Sequence, residues 1–592
     1  MKSLIAYTFA ALFMIGVSFF YYPKWKQART EATISWDVAG YYWYLPAIFI
    51  YKDLKQVKFS EQILQQYYPV PSFMHAFKYK DNYVMKYSGG MALQYLPFFL
   101  VADALAQPLG YARDGFSAPY QFAIQLGGML FALLGLWFFR KLLLLYYKDD
   151  TVALVLLLYV LGTNYLNFAA IDVGMTHSWL FTWYAILMYH THHFYKKPSY
   201  YYAIMIGACL GIMALTRPTE IIAALLPLLW GISTLNKNVI IERLNFIQKH
   251  LPYYILAAVI TGAIGFIQLA YWKYVSGDWL VYSYQDQGFD WLRPHIRQYL
   301  ISYRCGWLVY TPMMLFAFIG FIPFIKRKEN IIPIILFILL NTYIVVSWSI
   351  WWYGGRAMIQ SYPVLAFPFA AFIESIQTKK YTKYFLYSIF ALFCYYNIWW
   401  THQAHRGGLI APYDMTKAYF WQVLLKYKVD PDIVKYYDTH EVMRGERTNV
   451  KLIYENNFDT DSTLNQHLPA INGNFSEYVN QTKQVTNNYV IPIAKTGAKW
   501  LRATATVHIE QKEWDVWRMT QMVVQFYHQG QVVKENVIRL QRLLNDMETK
   551  TVFIDVKLPE KTFDTAVVLF RNSGGDKPAQ MDDLKVELFD IE

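Results

Sequence analysis

The sequence predicts a polytopic α-helical membrane domain followed by an external all-β sandwich. Three observations predict it. Long apolar runs recur through the first 400 residues, and basic residues mark every second loop between them. Beyond residue 400 the chain turns polar and alternates with period two.

Composition agrees. Of 592 residues, 55% are hydrophobic, 19% aromatic and only 16% charged, which excludes a disordered chain. The 51 tyrosines and 20 tryptophans suit side chains at headgroup level, apolar body inward and polar tip outward. The net charge of +12 fits basic loops against an anionic leaflet. No basic recognition motif accompanies it, so nucleic acid is not an expected partner. Cys209, Cys305 and Cys394 have no metal-ligand spacing and imply no disulfide framework.

Runs long enough to cross about 30 Å of hydrocarbon fall at residues 3–22, 119–139, 151–171, 177–195, 200–216, 219–235, 252–274, 306–325, 331–350, 357–375 and 382–400. The first is read as a retained span, because Tyr21-Tyr22-Pro23-Lys24-Trp25 is too bulky for a signal cleavage site. Arg140, Lys141 and Lys148 follow the second run, and Lys196 and Lys197 the fourth. Lys237, Arg243 and Lys249 follow the sixth, Lys326, Arg327 and Lys328 the eighth, and Lys379, Lys380 and Lys383 the tenth. These loops are assigned to the cytoplasm. Residues 91–107 are weaker, containing Pro97 and Asp103. The reading is eleven spans, with 91–107 a juxtamembrane segment that does not cross. Asp37 is then external. The basic loop 23–90 would favour a crossing, but long loops obey the charge rule poorly.

The membrane domain is expected over 1–401. Residues 402–450 read as a linker with a short amphipathic helix around Met415–Lys426. The β-domain is expected over 451–592, with strands around 500–509, 521–527, 552–556 and 566–570. Turn signals at His528-Gln529-Gly530 and Asn572-Ser573-Gly574-Gly575-Asp576 separate some of them. The ending Met581-Asp582-Asp583-Leu584-Lys585-Val586-Glu587-Leu588 resembles the last strand of carbohydrate-binding-module jelly rolls.

On this topology Asp37, Lys86, Asp172, His177, Arg217, Glu220, Asp278, Arg293, Arg297, Arg304 and Arg356 share the external face near span ends. Charges beside hydrocarbon are costly unless paired or used. A lipid phosphate with sugar hydroxyls would use this mixture, cations for the phosphate and carboxylates for hydroxyl protons. Asp37, in Trp36-Asp37-Val38-Ala39-Gly40-Tyr41-Tyr42, is the leading base; its plainer role would be a helix cap. Lys86 precedes Ser88-Gly89-Gly90, where glycines let backbone approach a phosphate; a snorkelling lysine is the alternative. Asp172 and His177 flank a short external turn. His177 would orient the acceptor, bind phosphate or simply bond to backbone. Arg217 is a phosphate clamp or the partner of Glu220. Tyr282 and Arg304 lie in the aromatic loop 275–305, whose rings suit sugar faces as well as an aromatic belt. Arg356 ends Trp351-Trp352-Tyr353-Gly354-Gly355-Arg356, a phosphate seat at a span entrance. No metal-ligand spacing is present.

The ordered set of motifs resembles the C-type integral membrane glycosyltransferases, near bacterial relatives of protein O-mannosyltransferases (glycosyltransferase family 39) and aminoarabinose transferases. The matched pieces are Asp37 to Pro46, Lys86-Tyr87, Met175-Thr176-His177, Arg217-Pro218-Thr219, Tyr271-Trp272-Lys273-Tyr274, Tyr310-Thr311-Pro312 and Trp351 to Gly355. The resemblance covers roughly residues 1–420. It implies an inverting transfer from a polyprenyl-phosphate sugar to an acceptor hydroxyl or envelope glycan, lipid or protein. Asp37 would be the base, Asp172 its assistant, and Lys86 with Arg217 the holders of the carrier phosphate. It implies no cofactor and no metal. The expected location is a bacterial inner membrane, with the C-terminal domain periplasmic. Lys86-Tyr87-Ser88 departs from the Lys-Pro-Pro of many relatives, which leaves the donor sugar open. Two other functions fit less of the pattern. A lipid-linked glycan transporter needs charge near the bilayer midplane and usually internal repeats, and the span centres here are nearly uncharged. A non-catalytic scaffold with a sugar-binding domain would have no need of Asp37.

Overall fold

The computed structural model describes residues 1–348, 353–377, 379–411, 414–460, 464, 469–493, 497–513 and 516–592, with Tyr353 as backbone alone. Trp351 and Trp352 of the expected phosphate seat lie outside the described residues. Two compact units form, Met1–Gly408 and Leu409–Glu592.

The first unit is helical. Helix α1 (Lys2–Gly16) runs on as a π-turn to Tyr21. The loop after it carries α2 (Trp36–Tyr42), α3 (Tyr44–Phe49) and α4 (Ser60–Tyr67). It also carries a hairpin of β1 (Ala76–Tyr79) and β2 (Asn82–Met85), which period-two alternation does not announce. There follow α5 (Gly90–Ala106), α6 (Ala118–Leu144), α7 (Asp149–Gly162), α8 (Thr176–Lys196), α9 (Tyr200–Thr216) and α10 (Leu225–Leu229). Next come α11 (Lys237–Lys249), α12 (Leu251–Ser276), α13 (Ile296–Ile301), α14 (Trp307–Tyr310), α15 (Leu315–Ile319) and α16 (Phe321–Arg327). The unit ends with α17 (Ile331–Ser347), α18 (Tyr362–Ile376) and α19 (Lys380–His402).

Among the described residues, Lys2–Lys26, Ala118–Leu144, Leu251–Ser276 and Gly354–Ile376 are each long and apolar enough to cross a membrane. Gly90–Ala106, Tyr200–Thr216, Pro218–Leu229 and Ile331–Ser347 are shorter apolar helices. Among the described residues, several of the eleven expected runs are not single α-helices; run 219–235, for one, is a 3-10 turn, Pro218–Ala224, and α10, and its helix ends at Leu229. Run 306–325 is four pieces, α14, a 3-10 turn at Pro312–Met314, α15 and α16. Pro312 has no N–H to continue the ladder and pushes Thr311 out of helical geometry. Run 151–171 stops at Gly162 and resumes as a π-turn, Asn167–Ile171.

Glycines set the helix contacts. Gly207 and Gly211, one turn apart on α9, lie against Ala257, Thr261 and Ile264 of α12, the close approach that small residues allow between spans. Helix α5 touches the ends of three other helices. Gly90 at its start abuts the backbone of Thr216, the last residue of α9. Tyr95 donates to the Gly174 carbonyl just before α8. Near the far end, Asp103 accepts from Tyr120 in the first turn of α6 at 2.7 Å. Helix α5 thus brings the end of α9 and the starts of α6 and α8 together.

The second unit opens with α20 (Lys417–Val423), shorter than the expected Met415–Lys426, its start capped by the Thr416 hydroxyl. Strands follow as β3 (Arg447–Asn456), β4 (Glu477–Val479), β5 (Tyr489–Pro492), β6 (Trp500–Ile509), β7 (Gln521–His528), β8 (Gln531–Arg539), β9 (Glu548–Lys557), β10 (Thr565–Arg571) and β11 (Ala579–Ile591). One sheet has the order β5-β10-β7-β8; the other is β3-β11-β6-β9, with β4 also paired to β11. Leu501, Ala503, Ala505, Val507 and Ile509 of β6 face inward and meet Met522, Val524 and Phe526 of β7 in one core. Alternate residues of both sheets thus fill a single interior, as a sandwich requires.

Candidate functional site

Asp37 sits in the first turn of α2. Trp36 before it holds a left-handed backbone, φ 46°, uncommon for a bulky residue. Ser35 takes the N-cap position, and Asp37 makes no cap bond. Its carboxylate is held from two sides. Arg356 Nη2 donates to Oδ2 at 2.7 Å, and the Tyr87 hydroxyl donates to Oδ1 at 2.7 Å. Burial alone would raise this carboxyl, but Arg356 and Tyr87 outweigh it and hold the group below the usual carboxylate range. The Asp37 and Arg356 side chains keep 22% and 23% of their surface exposed, so a ligand can reach the pair.

The hairpin aims Lys86 and Tyr87. Its tip is fixed to the end of α12 by Lys80 and Tyr79, which bind Asp278 at 2.7 and 2.9 Å. Its base is fixed where Met85 N–H donates to the Tyr271 hydroxyl at 2.8 Å. The Lys86 ammonium then lies 5.7 Å from the Tyr87 ring centroid and 5.9 Å from that of Tyr284. Among the described residues it has no carboxylate within ion-pair distance. Burial pushes its ammonium down, partly opposed by Asp37 and Asp286.

Arg217 sits between α9 and the Pro218 turn, where its charge acts on Glu220, Tyr41, Tyr284 and Tyr299. Its Nη1 is buried and finds no hydrogen-bond partner among the described residues. Glu220 instead accepts from Tyr184 at 2.6 Å and Gln360 at 3.1 Å, and Gln360 Oε1 lies 3.2 Å from His177 Nδ1. His177 is therefore buried in a side-chain chain beneath the arginines.

Asp172 belongs to a second cluster. Lys24 Nζ donates to it at 2.7 Å and Asn167 Nδ2 at 3.0 Å, while His405 Nε2 lies 2.5 Å from Asn167 Oδ1. Burial would raise its carboxyl, and Lys24 with His405 more than offsets that. Asp37 and Asp172 thus each have their own cation. Among the described residues no three His, Cys, Asp or Glu side chains converge as metal ligands.

Of the sequence candidates, the structure brings Asp37, Lys86, Arg217 and Arg356 together. Tyr282 turns outward, 61% exposed, with its hydroxyl on the Gln287 carbonyl at 2.5 Å. Arg304 is an exposed residue of the turn before α14. Residues the sequence did not single out join the cluster: Tyr87, Tyr284, Tyr41 and His75. Tyr87 stood inside a quoted motif. His75 carried no signal. It is 1% exposed, and neither ring nitrogen has a partner among the described residues. Burial pushes it down to about 4, so it stays neutral beside Asp37.

Comparison with family models and with curated proteins found no match. Among solved structures, the chain is similar to the arabinosyltransferase EmbB from Mycobacterium smegmatis, at 11% identity and a TM-score of 0.32, over 84% of this chain and 63% of that one. The chain therefore spans less than two thirds of that enzyme's length. A family 16 carbohydrate-binding module-2 is similar at 13% identity and a TM-score of 0.15, over 20% of this chain and 79% of that one.

Proposed function

We propose that the chain is an inverting membrane glycosyltransferase that moves a sugar from a polyprenyl-phosphate carrier to an acceptor hydroxyl on the external face. One observation carries the reading: a reachable carboxylate, Asp37, held by Arg356 and Tyr87, with Lys86 and the unsatisfied Arg217 beside it. Asp37 accepts the acceptor's proton as the acceptor oxygen attacks the anomeric carbon. The bond from that carbon to the carrier phosphate breaks on the opposite side. Lys86 and Arg217 hold the negative charge that develops on the departing phosphate, the largest contribution expected in such a site. A phosphate leaves without a proton, so no general acid is required. A carboxylate of lowered proton affinity still serves. In an oxocarbenium-like transition state the acceptor stays largely protonated until attack is well advanced.

Eleven spans belong to this proposal, with α5 lying on the external surface and the C-terminal unit external as well. The contacts of α5 with the starts of α6 and α8 and with the end of α9 support that count.

The test is sugar transfer in proteoliposomes, with radiolabelled polyprenyl-phosphate sugars, an envelope extract, and wild type beside Asp37→Asn. Asparagine keeps the shape and removes the base. Transfer by wild type that falls at least about a hundredfold in the variant is the expected result. Equal transfer by both would remove Asp37 from the chemistry and move attention to Asp172.

A further inference from the structure

The end of the bundle away from Asp37 holds a cavity of about 280 Å³ that the proposed reaction does not use. Tyr146, His192, Lys196, Trp230, Lys328 and Glu329 are in its wall. The Tyr146 hydroxyl lies 2.5 Å from His192 Nδ1. Glu329 turns to Arg327 at 3.5 Å. Lys196 and Lys328 have no carboxylate within ion-pair distance among the described residues, so the cavity keeps uncompensated positive charge.

Helix α11 runs beside it. Arg243 donates from Nη2 to the Trp230 carbonyl, and its guanidinium lies 4.3 Å from the Tyr195 ring centroid. Phe246 stacks on Tyr195 at 4.9 Å. Those contacts use one face, yet no side chain of α11 is buried. Ile240 and Leu244, one turn apart, are 46% and 60% exposed, with Ile241 beside them. Asn238, Glu242, Asn245 and Lys249 form the polar side. The apolar stripe continues through Leu251 into the open face of α12, where Ile255 and Val259 are exposed. An apolar stripe of this kind is what a helix lying in the headgroup plane presents to acyl chains.

We propose that the cavity binds the phosphate headgroup of an anionic membrane lipid, with its acyl chains along the stripe of α11 and α12. Lys196 and Lys328 neutralise the phosphate, and the Tyr146 and Trp230 rings sit at interfacial depth. A free phosphate would fit the cations and leave the stripe unexplained. The inference rests on the membrane reading of the helices and is independent of the transfer reaction.

Native mass spectrometry tests it. The purified protein is equilibrated with equal amounts of phosphatidylglycerol and phosphatidylcholine, with and without excess inorganic phosphate. Wild type is expected to retain phosphatidylglycerol about tenfold over phosphatidylcholine. The double variant Lys196→Ala/Lys328→Ala is expected to bring that ratio near one while keeping the wild-type melting temperature. Inorganic phosphate is expected to leave the bound lipid in place. A spin label at Leu244→Cys is expected to relax faster with oxygen than with an aqueous nickel chelate. Equal retention of the two lipids, an unchanged ratio in the double variant, displacement by inorganic phosphate, or a water-exposed label would each overturn the proposal.

Discussion

In the proposed reaction Asp37 must be anionic when the acceptor arrives, and Arg356 is the main group that keeps it so. The carboxyl lies below the usual carboxylate range because the guanidinium and the Tyr87 hydroxyl favour the charged form more than burial disfavours it. A base held down in this way loses its proton at lower pH than a free carboxyl, so transfer should persist well into the acid range. Arg356→Gln removes the largest part of the lowering and leaves burial opposed mainly by the Tyr87 hydroxyl. The acidic limb of the pH–rate profile should therefore move to higher pH, while activity at neutral pH falls for want of the cation. A limb that stays in place would mean that Asp37 is not the titrating group. The four converging residues were legible in sequence because each is a charge beside hydrocarbon, which is rarely idle. Tyr284 was not. Tyr282 and Tyr284 stand in the same aromatic loop, and which one turns inward depends on how the loop docks, with Ser283 donating to the Lys86 carbonyl at 2.7 Å. His75 was invisible for the opposite reason: beside its neighbour Phe73, its environment is built by Trp43 and Tyr87 from other stretches.

At the scale of elements, glycine positions separate packing that serves the site from packing that does not. A Cβ on Gly90 would meet the backbone nitrogen of Thr216 at 2.4 Å. Backbone yields poorly, so Gly90→Ala should lift α5 off the end of α9, at about 1–3 kcal/mol. Gly90 follows Lys86 closely, and Thr216 precedes Arg217, so the two proposed phosphate holders should be displaced together and transfer should fall. Gly262 on α12 has open space around it. Gly262→Ala should leave transfer unchanged and raise stability by up to about 1 kcal/mol through helix propensity. Thermal unfolding of both variants in detergent, beside the transfer assay, checks the pair. A Gly90→Ala protein as stable and active as wild type would show that the α5–α9 approach is not needed. Helix existence was legible from apolar runs, since burial in lipid or protein selects the same residues. Helix continuity was less so: Pro312 breaks one run, whereas Pro97 sits inside an unbroken α5. A proline interrupts a helix only where neighbours do not hold the turn together.

For the whole molecule, the decisive property is which face carries Asp37. The geometry joins Asp37, Lys86, Arg217 and Arg356 at one end of the helices and the cluster of Lys196, Arg243 and Lys328 at the other. On the proposed topology the basic loops put the second end in the cytoplasm and the first end outside. Single cysteines in a background without Cys209, Cys305 and Cys394 can read this directly. Asp286→Cys, in the exposed loop beside Tyr284, and Lys561→Cys, exposed in the β-unit, should react with a membrane-impermeant maleimide on intact cells. Asn238→Cys, on the polar side of α11, should react only after permeabilisation. Labelling of residue 238 with silence at 286 would invert the molecule. Lys86 and Arg217 would then face the cytoplasm, where nucleotide sugars are the available donors, and a polyprenyl-phosphate donor would lose its rationale. Labelling of both 286 and 238 from outside would add or remove one crossing between them, and α12, the helix of membrane length in that stretch, would have to lie outside the bilayer despite its 26 apolar-rich residues. The expected pattern, 286 and 561 outside with 238 inside, requires an odd number of crossings from residue 238 to 286. It also requires an even number from 286 to 561, which α14–α19 satisfy only if the broken run α14–α16 crosses once as a unit. The labelling therefore tests the interrupted helix as well as the face of the site.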